Sequence, residues 1–492
     1  MTPAALLRNA RVEPCSPWPR HVLPAPDWAA MATAPLHLLA LWADTQQAHA
    51  LFLDETDDAV LPVSVAIEAG AFPALSPHRP GAAWYERMVH DLWGHAAAGG
   101  VDTRPWLDHG TWAQPAPLAT RSGPPPVAEP PTFATDPGDT RMQWPIGPVP
   151  GGVGEAAHLR LTLHGDRVMR AETRLGYTHK GTLALMRGKS PRTAARFAAR
   201  LAGDSTVAHA AAFARATEAA LAVAAPARAA MLRAMMGEIE RIAGHLDQLG
   251  SLALVAGALD AHARCSRQRE MLLRATETAF GHRLMMDCVV PGGVAVDLAP
   301  AAPQVLLRAM GSVATELPAL RRSFQGTALG ARLTGTALAP LPAVLALSAG
   351  GVTGRASGRR WDARRFDPVY AGIGHIVATG SVGDSAARAS VRLTEIGESL
   401  RLTGRLIETL PEGPLTIALP MSSGEGIGCA ESIHGDVWHW LRLDHGQIAA
   451  VFPRDPGWAL WPLAETVLTG LPAEDVALAR CSLGLPVSGM DL

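Results

Sequence analysis

Thiols are scarce in this chain: five cysteines in 492 residues, at Cys15, Cys265, Cys288, Cys429 and Cys481. Their odd number and scatter exclude a disulfide framework and the spacing of a zinc or iron–sulfur site, and they fit a reducing compartment. Lysine is nearly missing, at Lys180 and Lys189 alone. With the abundance of Ala, Gly and Pro, this reads as genome composition bias and carries no mechanistic weight. Surplus charge is absent too, since a formal net charge of -2 offers no electrostatic footing for nucleic acid or an anionic membrane surface. No run of about 18 apolar residues occurs, and the most apolar stretch, Ala339 to Val352, is broken by Pro and Gly. The N-terminus lacks a charged segment followed by an apolar one, so neither a leader nor a direct membrane span is expected. Also missing are Gly-x-Gly-x-x-Gly after a strand, Gly-x-x-x-x-Gly-Lys, Gly-x-Ser-x-Gly and His-Glu-x-x-His. Nothing therefore points to an independent NAD or nucleotide site.

What is present is enough chain for two or three domains with full cores. Gln114 to Pro131 holds Pro115, Pro117, Pro124, Pro125, Pro126, Pro130 and Pro131, a composition that favours an extended connector over a packed element. The expected division is a small domain over 1–112, a Pro-rich linker over 113–142 and a large domain over 143–492. In the first, Leu36 to Leu53 and Ala59 to Ile67 alternate loosely as strands do, and Trp84 to Trp93 has helical spacing of its apolar residues. In the last, His158 to His164 and Arg167 to Arg174 flank Gly165-Asp166 as a hairpin. Long helices are predicted over roughly 206–223, 226–257, 259–280 and 384–410. The second is clearest, with Met231, Leu232, Met235, Met236, Ile239, Ile242, Leu246 and Leu249 at helical spacing after Pro226. Pro414 to Pro420 reads as a strand, and Val437 to Leu443 with Ile448 to Phe452 as a hairpin. The fold class is α+β, a small N-terminal α/β domain followed by a helical bundle with small peripheral sheets.

Trp84-Tyr-Glu-Arg-Met-Val-His-Asp-Leu-Trp-Gly94 with Arg104-Pro-Trp-Leu-Asp-His-Gly110 resembles the 30 kDa subunit of respiratory complex I, as fused at the front of formate-hydrogenlyase-type large subunits. Leu175-Gly-Tyr-Thr-His-Lys-Gly181, Glu238-Ile-Glu-Arg-Ile-Ala-Gly-His-Leu246, Val290-Pro-Gly-Gly-Val294, Arg355-Ala-Ser-Gly358 with Asp362, and Arg454-Asp-Pro456 resemble, in order, the complex I 49 kDa subunit and the group 4 nickel-iron hydrogenase large subunits. In that family two Cys-x-x-Cys pairs hold nickel and iron. Here the first falls on Ala202 and Ser205 within Arg200-Leu-Ala-Gly-Asp-Ser-Thr-Val-Ala-His209, and the second on Pro486 and Gly489 near the C-terminus, with Cys481 out of register. Soft metals need thiolate sulfur, so no metal is expected and the chain is not read as an active hydrogenase on its own. A quinone-binding His of the complex I relatives falls on Ala156, and their quinone-binding Tyr on Gly203 or Asp204.

The resemblance makes His158, Asp204, Ser205, His209, Arg355, Asp362, Glu431 and His434 candidates for an acceptor pocket at the former metal cavity, together with His179. Asp204 and Ser205 precede a predicted helix and read equally as N-caps, and His209 as a structural histidine. Glu238, Arg241 and His245 share a helical face, read first as solvated or inter-subunit and otherwise as a buried carboxylate network. The function implied is a subunit of an NADH:quinone oxidoreductase-like or hydrogenase-4-like complex, either passing electrons to a quinone or other acceptor, or acting as a non-catalytic coupling scaffold. No cofactor is expected on this chain itself, with iron–sulfur clusters on a partner. The implied partners are a small iron–sulfur subunit and antiporter-like membrane subunits, with no nucleic acid. The implied location is cytoplasmic, peripheral on the inner face of the cell membrane. Active relatives lose a C-terminal extension after metal insertion, and an unprocessed end is expected here.

Overall fold

The computed structural model describes residues 6–8, 10–119, 132–134, 141–149 and 155–492. Most of the expected connector over 113–142 lies outside the described residues. In the N-terminal part, β1 (Arg11–Glu13), β2 (Arg20–Leu23), β3 (His37–Ala43), β4 (Gln47–Asp54) and β5 (Ala59–Ala66) form one sheet in the order β1-β2-β5-β4-β3. Only β2 and β5 pair in parallel. The β4–β5 turn is set by Asp54, whose carboxylate accepts the Thr56 N–H at 3.0 Å. The sheet is apolar on both faces because both are covered. Helix Ala82–Trp93 packs on β3, and Trp42 stacks on Phe452 of the C-terminal part with ring centroids 5.3 Å apart. Arg20–Glu425 at 2.7 Å and Arg442–Asp44 at 2.9 Å add ion pairs across the same junction. Short β6 (Ala71–Pro73) and β7 (Ala96–Ala98) pair in parallel beside it.

The expected first hairpin forms as β9 (His158–His164) and β10 (Arg167–Arg174), joined by β8 (Met142–Ile146) on its edge. The bundle consists of α1 (Thr206–Ala220), α2 (Ala227–Val255), α3 (Leu259–Phe280), α4 (Ala302–Gln325) and α5 (Ser385–Glu408). Helix α2 packs on α3 and α5, and α4 packs on the same two. Four of these match the predicted spans. Helix α4 was not foreseen, because Pro318 inside it mimics a break. Pro414 to Pro420 is no strand: it contributes one isolated bridge, Thr416 to Gly293 of β11–β12 (Val289–Val290, Gly293–Val294).

The last sheet is β13 (Gly424–Glu431), β14 (Asp436–Asp444) and β15 (Gln447–Arg454). His445 and Gly446 both take positive φ, 46° and 75°, as a two-residue type I′ hairpin demands. Strand β13 escaped notice because glycine is depleted in strands. Its glycines nevertheless have a purpose. A Cβ on Gly424, Gly426 or Gly428 would lie 2.0, 2.2 and 2.3 Å from the carbonyl oxygens of Ala220, Ala216 and Ala212. One bare face of the strand thus meets one alanine face of α1, backbone to backbone, and so fixes the start of α1 against the turn between β13 and β14.

Candidate functional site

Residues 202–205 lead into α1, whose first N–H groups have no partner inside the helix. Ser205 occupies the N-cap position but makes no side-chain cap; its hydroxyl donates to Asp204 Oδ1 at 3.2 Å. The expected capping by Asp204 and Ser205 is performed instead by Glu240 of α2, whose carboxylate accepts Val207 N–H at 2.7 Å and Ala208 N–H at 3.1 Å. Burial pushes Glu240 up to about 8, against those two donors. Sequence proximity suggested the local cap, but the reach of a long side chain from the neighbouring helix decided it.

One turn later His209 is fully buried, with Nδ1 3.2 Å from His439 Nε2 and Nε2 3.1 Å from Asp455 Oδ2. Burial, and then His209, hold His439 well below the ordinary histidine range. The C-terminal segment lies against the same group. A Cβ on Gly489 would fall 2.2 Å from that Asp455 oxygen, and the Pro486 carbonyl accepts the Trp461 indole N–H at 2.7 Å. The two stretches that carry metal thiolates in the resembling family therefore do meet, through His209, Asp455 and Gly489. The residues present do not fit a nickel-iron pair. Positions 202, 205, 486 and 489 supply methyl, hydroxyl, ring and hydrogen, the Asp455 carboxylate fills the side-chain space at 489, and among the described residues no three His, Cys, Asp or Glu are grouped to hold a metal ion.

Asp204 joins the candidate set from the other side. Its Oδ2 lies 2.6 Å from Nε2 of His434, and its side chain is 42% exposed against 4% for the histidine. Although its surroundings disfavour charge, His434 holds Asp204 below the usual carboxylate range; Asp204 in turn lifts His434, against burial. Asp204 borders a cavity of about 140 Å³ with Glu240, Asp247, Arg269 and Arg283. Ser205, His209 and His158 do not line that cavity, and of the acceptor-pocket candidates Asp204 alone does. Ser205 and His209 are turned into the core. His158 stands on β9, its Nδ1 3.5 Å from Tyr177 OH and its ring 4.8 Å from Phe133. His179 is engaged by the C-terminal segment, Nδ1 2.6 Å from the Asp491 carbonyl.

Arg355, Asp362 and Glu431 are brought together in a separate, fully buried cluster. Arg355 reaches Glu431 at 2.7 Å, Glu395 at 2.8 Å and Asp362 at 3.5 Å. Arg364 bridges Asp362 at 2.7 Å and Glu238 at 3.0 Å. His245 Nε2 sits 2.7 Å from Glu395. The Glu238, Arg241 and His245 face, read first as solvated, is thus buried, at 0%, 2% and 0% exposure. Helical spacing shows that residues share a face, and only the docking of α5 and of the β13–β14 turn determines what covers it. Arg241 links this cluster to the first, donating to the carbonyls of Glu431 at 2.7 Å and Ser432 at 3.1 Å, just before His434. Sequence reasoning missed Glu240, Glu395, Arg364 and His439. Asp455 sat in a quoted motif, Arg454-Asp-Pro456, the one signal that could have flagged it.

Residues 256–423 match the family described as respiratory-chain NADH dehydrogenase, 49 Kd subunit, and residues 180–253 match nickel-dependent hydrogenase. An NADH-quinone oxidoreductase subunit of Sinorhizobium medicae is 31% identical over 282 residues, 56% of this chain and 69% of that protein. The membrane-bound hydrogenase subunit alpha of Pyrococcus furiosus is 27% identical over 366 residues, 70% of this chain and 85% of its own. Formate hydrogenlyase subunit 5 of Escherichia coli is 27% identical over 444 residues, covering 86% and 78%. A chain of the membrane-bound sulfane sulfur reductase, an archaeal respiratory membrane complex, shares the fold with a TM-score of 0.67 at 22% identity, over 72% of this chain and 98% of that one.

Proposed function

Because the chain belongs to the family of the complex I 49 kDa subunit and the nickel-iron hydrogenase large subunit, we propose that it is the large subunit of a membrane-associated electron-transfer complex and works there without a nickel-iron centre. The filled metal locus supports this reading, with the Asp455 carboxylate, held by His209, standing where a side chain at 489 would be. On this reading the chain is a coupling subunit. It docks a small iron–sulfur subunit, which carries the clusters, to antiporter-like membrane subunits on the cytoplasmic face. Among the described residues no helix is long and apolar enough to cross a membrane, so contact with the bilayer falls to the partners.

One observation favours a second reading. The half-exposed Asp204 over His434 faces the cavity of about 140 Å³, where a quinone or other acceptor could receive electrons from the partner. That volume is well below the roughly 300–1,000 Å³ of small-molecule sites, although a cavity of about 480 Å³ borders the candidate His179; the filled locus at 489 ranks coupling first. Two measurements on the purified complex separate the possibilities. Elemental analysis is expected to find no stoichiometric nickel on this chain, and one nickel per chain overturns the proposal. Asp204→Leu is expected to leave assembly and electron transfer intact. Lost electron transfer in an assembled complex would establish the acceptor reading instead.

A further inference from the structure

We propose that this chain holds a binding site for one exchangeable proton at Glu431, the carboxylate with the fewest donors in a buried cluster where four carboxylates are ion-paired with three guanidiniums. The members are Glu238, Asp362, Glu395 and Glu431 against Arg241, Arg355 and Arg364, joined by ion pairs of 2.7 to 3.8 Å. Two histidines touch it, His245 on Glu395 and His375 on Asp362 at 3.7 Å. Neither adds a positive charge at neutral pH, since burial pushes both down to about 4, while the buried Arg392 of α5 acts on Glu395 as a further cation. An unmatched charge in such an interior is strongly disfavoured. The carboxylate with the fewest donors is therefore the one that keeps a proton.

The donors around each carboxylate decide which one keeps it. Glu238 accepts from Arg364 at 3.0 and 3.1 Å, Tyr370 at 2.7 Å and Ser399 at 2.6 Å. Asp362 accepts two guanidinium N–H groups and the backbone N–H of Arg364. Glu395 has Arg355 and His245 at 2.8 and 2.7 Å. Glu431 has one guanidinium N–H, from Arg355, which that group shares with Asp362 and the Trp361 carbonyl, and one amide, Ala363 N–H at 3.0 Å. Strand β14 sets a further anion opposite it, Asp436, which is bound by Arg454 at 3.1 Å and Trp438 at 2.6 Å. Arg241 of α2 is the remaining cation facing it, and it spends its closest contacts on the Glu431 and Ser432 carbonyls. Burial first, then Asp362, raises Glu431 to about 7, while Glu238 and Glu395 are held below the usual range. The step is a protonation alone, carboxylate plus proton to carboxylic acid, with no change of oxidation state. Its use rests on the coupling reading: an electron arriving on a docked cluster favours uptake here, and its departure favours release. Binding of the proton does not depend on that reading.

The test is infrared titration of the purified complex across neutral pH, with deuterium exchange to mark carboxylic-acid carbonyl bands. Beside the bands of Glu240, raised to about 8, and Glu465, raised to about 7, the wild-type complex is expected to show a further exchangeable band that fades with a midpoint near 7, Glu431→Gln to lack that band, and Glu431→Asp to keep it with a displaced midpoint. Absence of the band from the wild type, or its persistence unchanged in Glu431→Gln, overturns the proposal. Should Glu431→Gln fail to assemble, an undisplaced midpoint in Glu431→Asp does the same. The reading uses no electron transfer, so it stands or falls apart from the metal analysis and the Asp204 variant.

Discussion

Single atoms set the contact between the start of α1 and the C-terminal segment. At Gly489 the absent side chain makes room for the Asp455 carboxylate, since a Cβ would sit 2.2 Å from Oδ2. Gly489→Ala is therefore expected to overpack the site and to cost about 1–3 kcal/mol, read as a lower thermal midpoint; an unchanged midpoint would mean that Asp455 rotates away freely. Glu240 is the second decisive residue. Removing its carboxylate in Glu240→Ala strands the N–H groups of Val207 and Ala208, a loss of about 1–3 kcal/mol. The sign of its pH effect follows from a folded value raised to about 8. The folded state holds the proton more tightly than the unfolded chain, so this stabilisation is complete below the ordinary carboxylate value and is lost as pH rises through about 8. The thermal midpoint should fall on that alkaline limb in the wild type and stay flatter in Glu240→Gln.

Among the elements, α2 does most to organise the interior. Its apolar stripe builds the bundle core, while Glu238, Arg241 and His245 on the adjoining face meet α5 and the segment Arg355 to Tyr370. Breaking one partner of a buried pair leaves an uncompensated charge, at about 3–5 kcal/mol. Glu238→Gln, which leaves Arg364 with Asp362 as its one ion-pair partner, is expected to lower stability by up to that order, measured by chemical denaturation. Here the pH sign is opposite to that of Glu240. Arg364 and Arg241 hold Glu238 down at about 2 despite burial, so its contribution is present above the ordinary carboxylate value and is lost as pH falls toward about 2. An acid-unfolding midpoint that moves downward in Glu238→Gln would contradict this assignment.

Across the whole molecule, the N-terminal sheet and the C-terminal hairpin share one core. Trp42 lies 5.4 Å from Trp440 and 5.3 Å from Phe452, and Tyr85 stacks 4.5 Å from Trp458. Arg359–Glu55 at 2.5 Å adds an ion pair from the helical part. A chain lacking residues 1–112 would present these aromatic faces to water. It is expected to aggregate or stay bound to chaperones on size-exclusion chromatography, and a monodisperse, folded truncation would refute the shared core.

Local pattern was enough for much of this. The Met and Leu stripe between Met231 and Leu249 specified α2, the Gly165-Asp166 and His445-Gly446 turns specified two hairpins, and the ordered motifs specified the family, because periodicity and turn chemistry depend on neighbours in the chain. The residues that cover a charged face, cap a helix from outside or fill the space beside a glycine come from other elements, tens of positions away along the chain. Glu240 under α1, Asp455 against Gly489, and Glu395, Arg364 and Glu431 around Arg355 were therefore decided by tertiary packing alone. The glycine run of β13 shows the same limit from the other side: nothing local marks it as a strand, and only the alanine face of α1 requires it.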